Sequence, residues 1–299
     1  MFAGFESSFV ETGEAAIFIR RMGTGRPLLL LHGFPQTHLM WHRVAPLLAQ
    51  DFTVICADLR GYGSSSKPPS RADHAPYAKR AMALDMVRVM ENQGFSRFAV
   101  AGHDRGGRVA YRMALDHPQA VRAFIPIDIV PTAEQWRRMN ADGAFKSYHW
   151  LFLAQPHPMP ETLINKDPLY YAEYTLKSWT KPRDLSPFSA EAMQHYRALL
   201  QSPDSVHAIC EDYRAGFTVD RALDEADLAA GRKITCPTFV LWASDYLNTK
   251  AATPLDIWRS WCTDASGAAV VSGHFIAEEN PKDALAALLP FLLANREAK

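Results

Sequence analysis

Four short, nearly unbroken apolar runs recur along the first half of the chain: "PLLLLHG" (27–33), "FTVICAD" (52–58), "RFAVAGH" (97–103) and "AFIPIDI" (123–129). Stretches of helix-forming residues at about 40–49, 76–93 and 106–116 separate them. Strands buried on both faces have this character, and strands alternating with helices predict a parallel sheet covered on both sides. "SSFVETG" and "AAIFIRRMG" add an early hairpin ahead of these runs. From 132 to 232 no convincing strand pair occurs, and aromatics, prolines and helix formers predict a helical insertion. "CPTFVLWASD" (236–245) and "GAAVVSGH" (267–274) then restore the strand pattern. The expected architecture is α/β, with a core domain of residues 1–131 and 233–299 and a helical cap of residues 132–232. The last helix is expected to open with Asn280 as N-cap and Pro281 at its first position. Leu285, Leu288, Leu289 and Leu292 form its expected buried stripe, and Pro290 predicts a kink or break.

Composition removes several classes of function. Lys and Arg together number 32, as do Asp and Glu, so no basic excess points to nucleic acid and any positive site must be local. No apolar run reaches membrane-span length, and "MFAGFESSFVETGE" lacks the basic and apolar regions of a secretory signal. Cys56, Cys210, Cys236 and Cys262 form neither a C-x-x-C pair nor a zinc spacing. Reduced thiols and a cytoplasmic location are expected from these features.

The stretch "GHDRGGR" (102–108) carries the chemistry. A small-x-acid-x-small turn between a strand and a helix has the form of a nucleophile elbow, whose glycines permit a strained turn and close strand–helix packing. Serine is the usual occupant; here it is Asp104. Taken alone, the same residue could equally be a helix N-cap. Its surroundings favour chemistry. "LLLLHGFPQ" puts Gly33 and Phe34 in a neighbouring loop, Asp128 ends the strand after the elbow, and His274 follows the last strand. Nucleophile, acid, histidine is the triad order of this fold. The G-x-G in "DLRGYGSS" (58–65) is too weak for a phosphate loop and reads as a turn.

On "HGFP", "DLRGYGSS", "GHDRGG" and "SGH", the whole chain resembles the α/β-hydrolase fold. The aspartate at the elbow narrows the resemblance to haloalkane dehalogenases, epoxide hydrolases and haloacetate dehalogenases. Arg105, Arg108, His149, Trp150 and the Tyr213 of "DYRAG" make it most similar to the fluoroacetate (haloacetate) dehalogenases. The resemblance implies hydrolysis of a small anionic haloacid, with Asp104, Asp128 and His274 catalytic and with Arg105, Arg108, His149, Trp150, Tyr213 and Phe34 binding substrate. It implies backbone N–H groups of Phe34 and Arg105 as oxyanion donors, a homodimer, and no metal or organic cofactor.

These residue types suit that chemistry. A carboxylate is anionic at neutral pH and attacks a saturated carbon without a base, leaving an aspartyl ester. A neutral His274 can then activate water, with Asp128 fixing its tautomer. Asp245, after "TFVLWAS", competes for the acid's role. Arg105 and Arg108, three residues apart on a helix, can hold a substrate carboxylate and screen it from Asp104; a surface pair bonded to cap carboxylates is the competing reading, disfavoured because the elbow puts both at the cleft. His149, Trp150 and Tyr213 are donors able to receive fluoride, a strongly hydrated leaving group, although cap aromatics usually serve packing. An epoxide hydrolase would use the same triad and draw on cap tyrosines such as Tyr148, Tyr170, Tyr171, Tyr174, Tyr196 and Tyr213. Relatives acting on neutral substrates usually carry tryptophan after the nucleophile, where this chain has Arg105. A ligand receptor with little turnover is the alternative from another class.

Overall fold

The computed structural model describes residues 1–244 and 252–295. Eight strands form one sheet: β1 (Glu6–Glu11), β2 (Ala16–Met22), β3 (Arg26–Leu31), β4 (Phe52–Ala57), β5 (Phe98–His103), β6 (Val121–Ile127), β7 (Thr238–Ala243) and β8 (Ala265–Val270). Their spatial order is β1-β2-β4-β3-β5-β6-β7-β8. β1 pairs antiparallel with β2, and β2 with β4; every later pairing is parallel. The expected hairpin and parallel sheet are both present. Every residue of the central strands β4 and β5 is buried, whereas most of β1 and β8 is not. An uninterrupted apolar run is what a two-sided interior demands, and the edge strands carry the charged and small residues.

Two local expectations are corrected. Residues 40–49 do not form one helix: a 3-10 turn, His38–Trp41, precedes a short helix, Ala45–Leu48. Pro46 lacks an N–H and fits only the first turn, so the helix restarts there. The last helix, Pro281–Ala294, opens as expected, with the Asn280 side chain accepting from the Asp283 N–H, but runs unbroken through Pro290. Both Pro290 and Ala286, whose carbonyl loses its donor, are solvent-exposed, so water can satisfy that carbonyl. Its buried line is Ala284, Leu288 and Leu292, while Leu285 and Leu289 are half-buried.

Between β6 and β7 lie only helices, from Thr132–Arg137 to Val219–Ala229. This insertion rests on buried ion pairs as well as apolar contacts. Arg112 in the helix Arg105–Asp116 donates to Asp224 at 3.1 Å and to Asp227 at 2.7 Å, both on the helix Val219–Ala229. All four cysteines are free thiols. Among the described residues no helix is long and apolar enough to cross a membrane. The loops after β3, β5, β6 and β8 meet at the carboxyl edge of the sheet, where a parallel α/β sheet builds its sites.

Candidate active site

Asp104 joins β5 to the helix Arg105–Asp116 with φ +46° and ψ −115°, a strained conformation for a residue with a side chain. Glycine permits the turn by allowing backbone to meet backbone. A Cβ on Gly106 would stand 2.4 Å from the His32 carbonyl oxygen, and one on Gly33 would stand 2.4 Å from Asp104 Cβ. The loop after β3 therefore runs beside the elbow, and the Phe34 N–H donates to Asp104 Oδ1 at 3.0 Å. The Asp104 side chain makes no capping bond to its own helix. His32 steadies that loop: its Nδ1 lies 3.0 Å from the Gly33 carbonyl, and its Nε2 accepts the Leu59 N–H at 3.0 Å. A ring that accepts at Nε2 and donates at Nδ1 is neutral, and burial lowers its pKa in the same sense.

Asp128 follows β6 at φ +54°. Its Oδ1 accepts the Ala243 N–H at the end of β7 at 2.9 Å, and its Oδ2 lies 2.6 Å from His274 Nδ1. Burial raises the Asp128 carboxyl above its ordinary pKa despite the histidine. Asp245, the competing acid, lies outside the described residues. The His274 main chain is tied on both sides. Its N–H donates to the Trp179 carbonyl at 2.9 Å, and its carbonyl lies 2.9 Å from His103 Nε2. Burial, and then His274, push the His103 pKa down to about 3, so that ring stays neutral. Burial alone would raise the Asp104 carboxyl, but His274 and Arg105 outweigh it and hold the pKa below the ordinary value. The nucleophile candidate is thus a buried anion.

The insertion closes over this edge with aromatic rings. His149 stacks on Phe34 at 6.4 Å, and Tyr213 meets Phe34 edge-on at 5.7 Å. Trp150 packs edge-on against Tyr213 at 5.7 Å, and its ring lies 4.4 Å from the Arg108 guanidinium carbon and 5.3 Å from that of Arg105. Arg105 also lies 4.2 Å from the centre of the Tyr213 ring. All the residues expected in the site are therefore buried in one cluster. Four of its polar atoms have no hydrogen-bond partner: Arg105 Nη1, Arg108 Nε, His149 Nδ1 and the Tyr213 hydroxyl. Buried polar groups are usually paired, so four unpartnered atoms in one cluster give it hydrogen-bonding capacity that a polar ligand could use. Burial pushes the His149 pKa down to about 3 and the Tyr213 hydroxyl well above 10, so both are uncharged in this cluster.

Several neighbours have no signal in the sequence. Trp179 stands 4.4 Å from the His149 ring and 5.6 Å from the His274 ring, yet its sequence context is that of any amphipathic helix. Lys79 is buried where helix-start lysines are usually solvated. Asp212 precedes Tyr213, so its place beside the site could have been read from "DYRAG", but not its partner. That partner is Arg105, through Nε to Oδ2 at 2.9 Å and Nη2 to Oδ1 at 2.6 Å. Arg108 Nη1 is also engaged, donating to the Val130 carbonyl at 2.9 Å. The arginines are thus anchored at their far sides and keep only Arg105 Nη1 and Arg108 Nε among the unpartnered atoms.

Metal-ligand types meet elsewhere. Donor atoms of His157, Glu161 and His207 lie within 4.8 Å of one another on the insertion. Arg214 already holds both Glu161 oxygens, at 2.8 and 2.9 Å, which neutralises the charge a cation would need.

Residues 26–281 match the family model for the alpha/beta hydrolase fold. A fluoroacetate dehalogenase from Burkholderia sp is 43% identical over 98% of this chain and 95% of its own length. A soluble epoxide hydrolase from Corynebacterium sp. (strain C12) is 31% identical over 90% of this chain and 91% of its own. The crystal structure of ALR0039 from Nostoc sp PCC 7120 superposes with a TM-score of 0.94 at 46% identity, covering 98% of this chain and 99% of that one. The chain belongs to the alpha/beta hydrolase fold family.

Proposed function

We propose that the protein is a haloacetate dehalogenase, hydrolysing fluoroacetate, chloroacetate or bromoacetate to glycolate and halide. The observation that carries this reading is the burial of Arg105 and Arg108 in one cluster with an anionic Asp104. Arg105 is paired with Asp212, whereas among the described residues Arg108 donates only to the Val130 carbonyl and the Thr132 hydroxyl, so a substrate carboxylate beside Arg105 Nη1 and Arg108 Nε would supply the anion that Arg108 lacks. Likeness to the Burkholderia dehalogenase supports the same substrate class.

The Phe34 N–H holds Asp104 Oδ1, so Oδ2 is the oxygen that attacks. A bond forms from Oδ2 to the substrate's α-carbon as the carbon–halogen bond breaks, and the halide leaves with the bonding electrons. Arg105 Nη1 and Arg108 Nε hold the carboxylate in line for that displacement. Tyr213, Trp150 and His149 donate to the departing halide. His149 does so as a neutral ring, given its low pKa. Each bond to a charged group contributes about 1.5–3 kcal/mol. In the second half, water gives a proton to His274, whose Nδ1 is held by Asp128, and its oxygen adds to the Asp104 carboxyl carbon. Negative charge then develops on Oδ1, where the Phe34 N–H already stands. Collapse breaks the bond from the carboxyl carbon to Oδ2, the released glycolate takes the proton back from His274, and the water's second proton leaves the regenerated Asp104 carboxyl for solvent.

Epoxide hydrolysis is the second reading, favoured by the unpartnered Tyr213 hydroxyl, which could protonate an epoxide oxygen, and by the Corynebacterium relative. Purified protein is incubated with fluoroacetate, chloroacetate and a styrene-type epoxide, and released halide and diol are measured. Halide from the acids supports the dehalogenase; diol with no halide overturns it in favour of the epoxide hydrolase; no product from any substrate favours a receptor.

A further inference from the structure

Asp212 is a buried carboxylate that the reaction above does not use, and its contacts are unusually complete. Oδ1 takes Arg105 Nη2 and the Lys79 ammonium; Oδ2 takes Arg105 Nε and the Tyr62 hydroxyl, the last at 2.8 Å. The Asp212 main-chain carbonyl takes Arg105 Nη2 again, at 2.8 Å. A guanidinium has five N–H groups. Three of those on Arg105 go to this one residue, and the two on Nη1 are left buried without a partner.

We propose that Asp212 is the positioning residue of the anion clamp, fixing Arg105 so that the Nη1 edge alone is presented to the substrate carboxylate. This rests on the haloacetate reading and extends it from the arginines to the group that aims them. A planar guanidinium gripped in fork geometry has little freedom left, so its free edge is preorganised. Lys79 also donates to Asp212 and stands 3.7 Å from Asp220, so Arg105 is held in a charge-balanced network of two cations and two carboxylates, and what it offers the substrate is the two free N–H groups of Nη1. Asp212 belongs to the helix Pro203–Phe217 of the insertion, whereas Arg105, Lys79 and Tyr62 lie before β6. Tyr213 is the next residue on that helix and covers the face of the same guanidinium. One turn of helix thereby sets both the carboxylate's donor and one of the halide's donors. The clamp is complete only when the insertion is seated.

A tether that merely holds the insertion down would affect every substrate alike. The test therefore varies substrate charge at a constant reacting carbon. In a His274→Asn background, alkylation at position 104 is followed by peptide mapping and mass spectrometry with chloroacetate and with neutral chloroacetamide. Asp212→Asn is expected to slow alkylation by chloroacetate at least tenfold and by chloroacetamide less than twofold. Equal slowing of both, or slowing of neither, overturns the proposal. If chloroacetamide does not react at all, steady-state chloroacetate turnover with His274 restored decides. A KM raised at least tenfold with kcat within threefold supports the proposal, and a fall in kcat alone overturns it. If Asp212→Asn does not fold, Tyr62→Phe, which removes one bond and no charge, is expected to give the same selectivity in milder form, and an unselective effect overturns the idea. Unaltered protein that releases no chloride from chloroacetate refutes the dehalogenase reading itself, before any variant is compared, and this proposal falls with it.

Discussion

His274 reaches Asp128 across the end of a strand that belongs to neither: the histidine follows β8, the aspartate follows β6, and β7 lies between them. The Ala243 N–H of β7 holds the other Asp128 oxygen, so the pair is braced by the strand it crosses. Asp128→Asn keeps the shape but offers His274 Nδ1 an amide, which favours the wrong tautomer. Turnover is expected to fall on the order of 10⁴-fold, the loss seen for such a change in a serine-protease triad. Asp245→Asn is expected to leave turnover within a few-fold. Halide-release rates of the two variants decide which acid serves.

Asp104→Asn should abolish halide release, because an amide oxygen is a poor nucleophile. His274→Asn should still be alkylated but not hydrolysed. Mass spectrometry of that variant after chloroacetate is expected to show the protein heavier by one carboxymethyl group, carried on Asp104. A variant that stays unmodified, or that turns over repeatedly, contradicts the two-step route.

Trp150 stands between the arginines and Trp136, which it meets edge-on at 5.4 Å. Trp150→Phe retains most of that packing and removes the indole N–H. Fluoride needs donors more than chloride does, since it is the poorer leaving group and the more strongly hydrated ion. Fluoroacetate turnover is expected to drop at least tenfold more than chloroacetate turnover. Equal losses would make Trp150 a packing residue only.

His149 and His103 each titrate near pH 3 in the folded chain, well below the unfolded value of about 6.5. Between those limits the unfolded chain binds protons that the folded chain refuses. Folding stability therefore rises with pH from about 3 to 6.5 and is lost as pH falls through that window. For one such ring the loss at pH 5 is on the order of 2 kcal/mol. His149→Gln should weaken the acid sensitivity by about that amount, measured as the change in urea-unfolding free energy between pH 7 and pH 5. An unchanged difference would mean that the ring takes up a proton while folded.

The central strands were legible because burial on both faces forces an unbroken apolar run, as in β4 and β5. Asp104 was legible because a strained turn needs small neighbours, and "GHDRGG" displays them. Residues meeting through the insertion were not. Nothing near Trp179 distinguishes a ring packed beside His274 from any other buried aromatic. Nor does the spacing from Arg105 to Asp212 carry a period that would pair them. Pro290 misled for a different reason: a lost backbone bond matters less where the orphaned carbonyl faces water.

The ion pairs beneath the insertion limit how such a protein can be recombined. A replacement for the segment between β6 and β7 that lacked acids at positions 212, 224 and 227 would leave Arg105 and Lys79 without Asp212 and would leave Arg112 with Asp116 alone. A chimaera built at that junction keeps its interior cations paired only where the incoming segment brings those acids, so the two parts are coupled through buried charge.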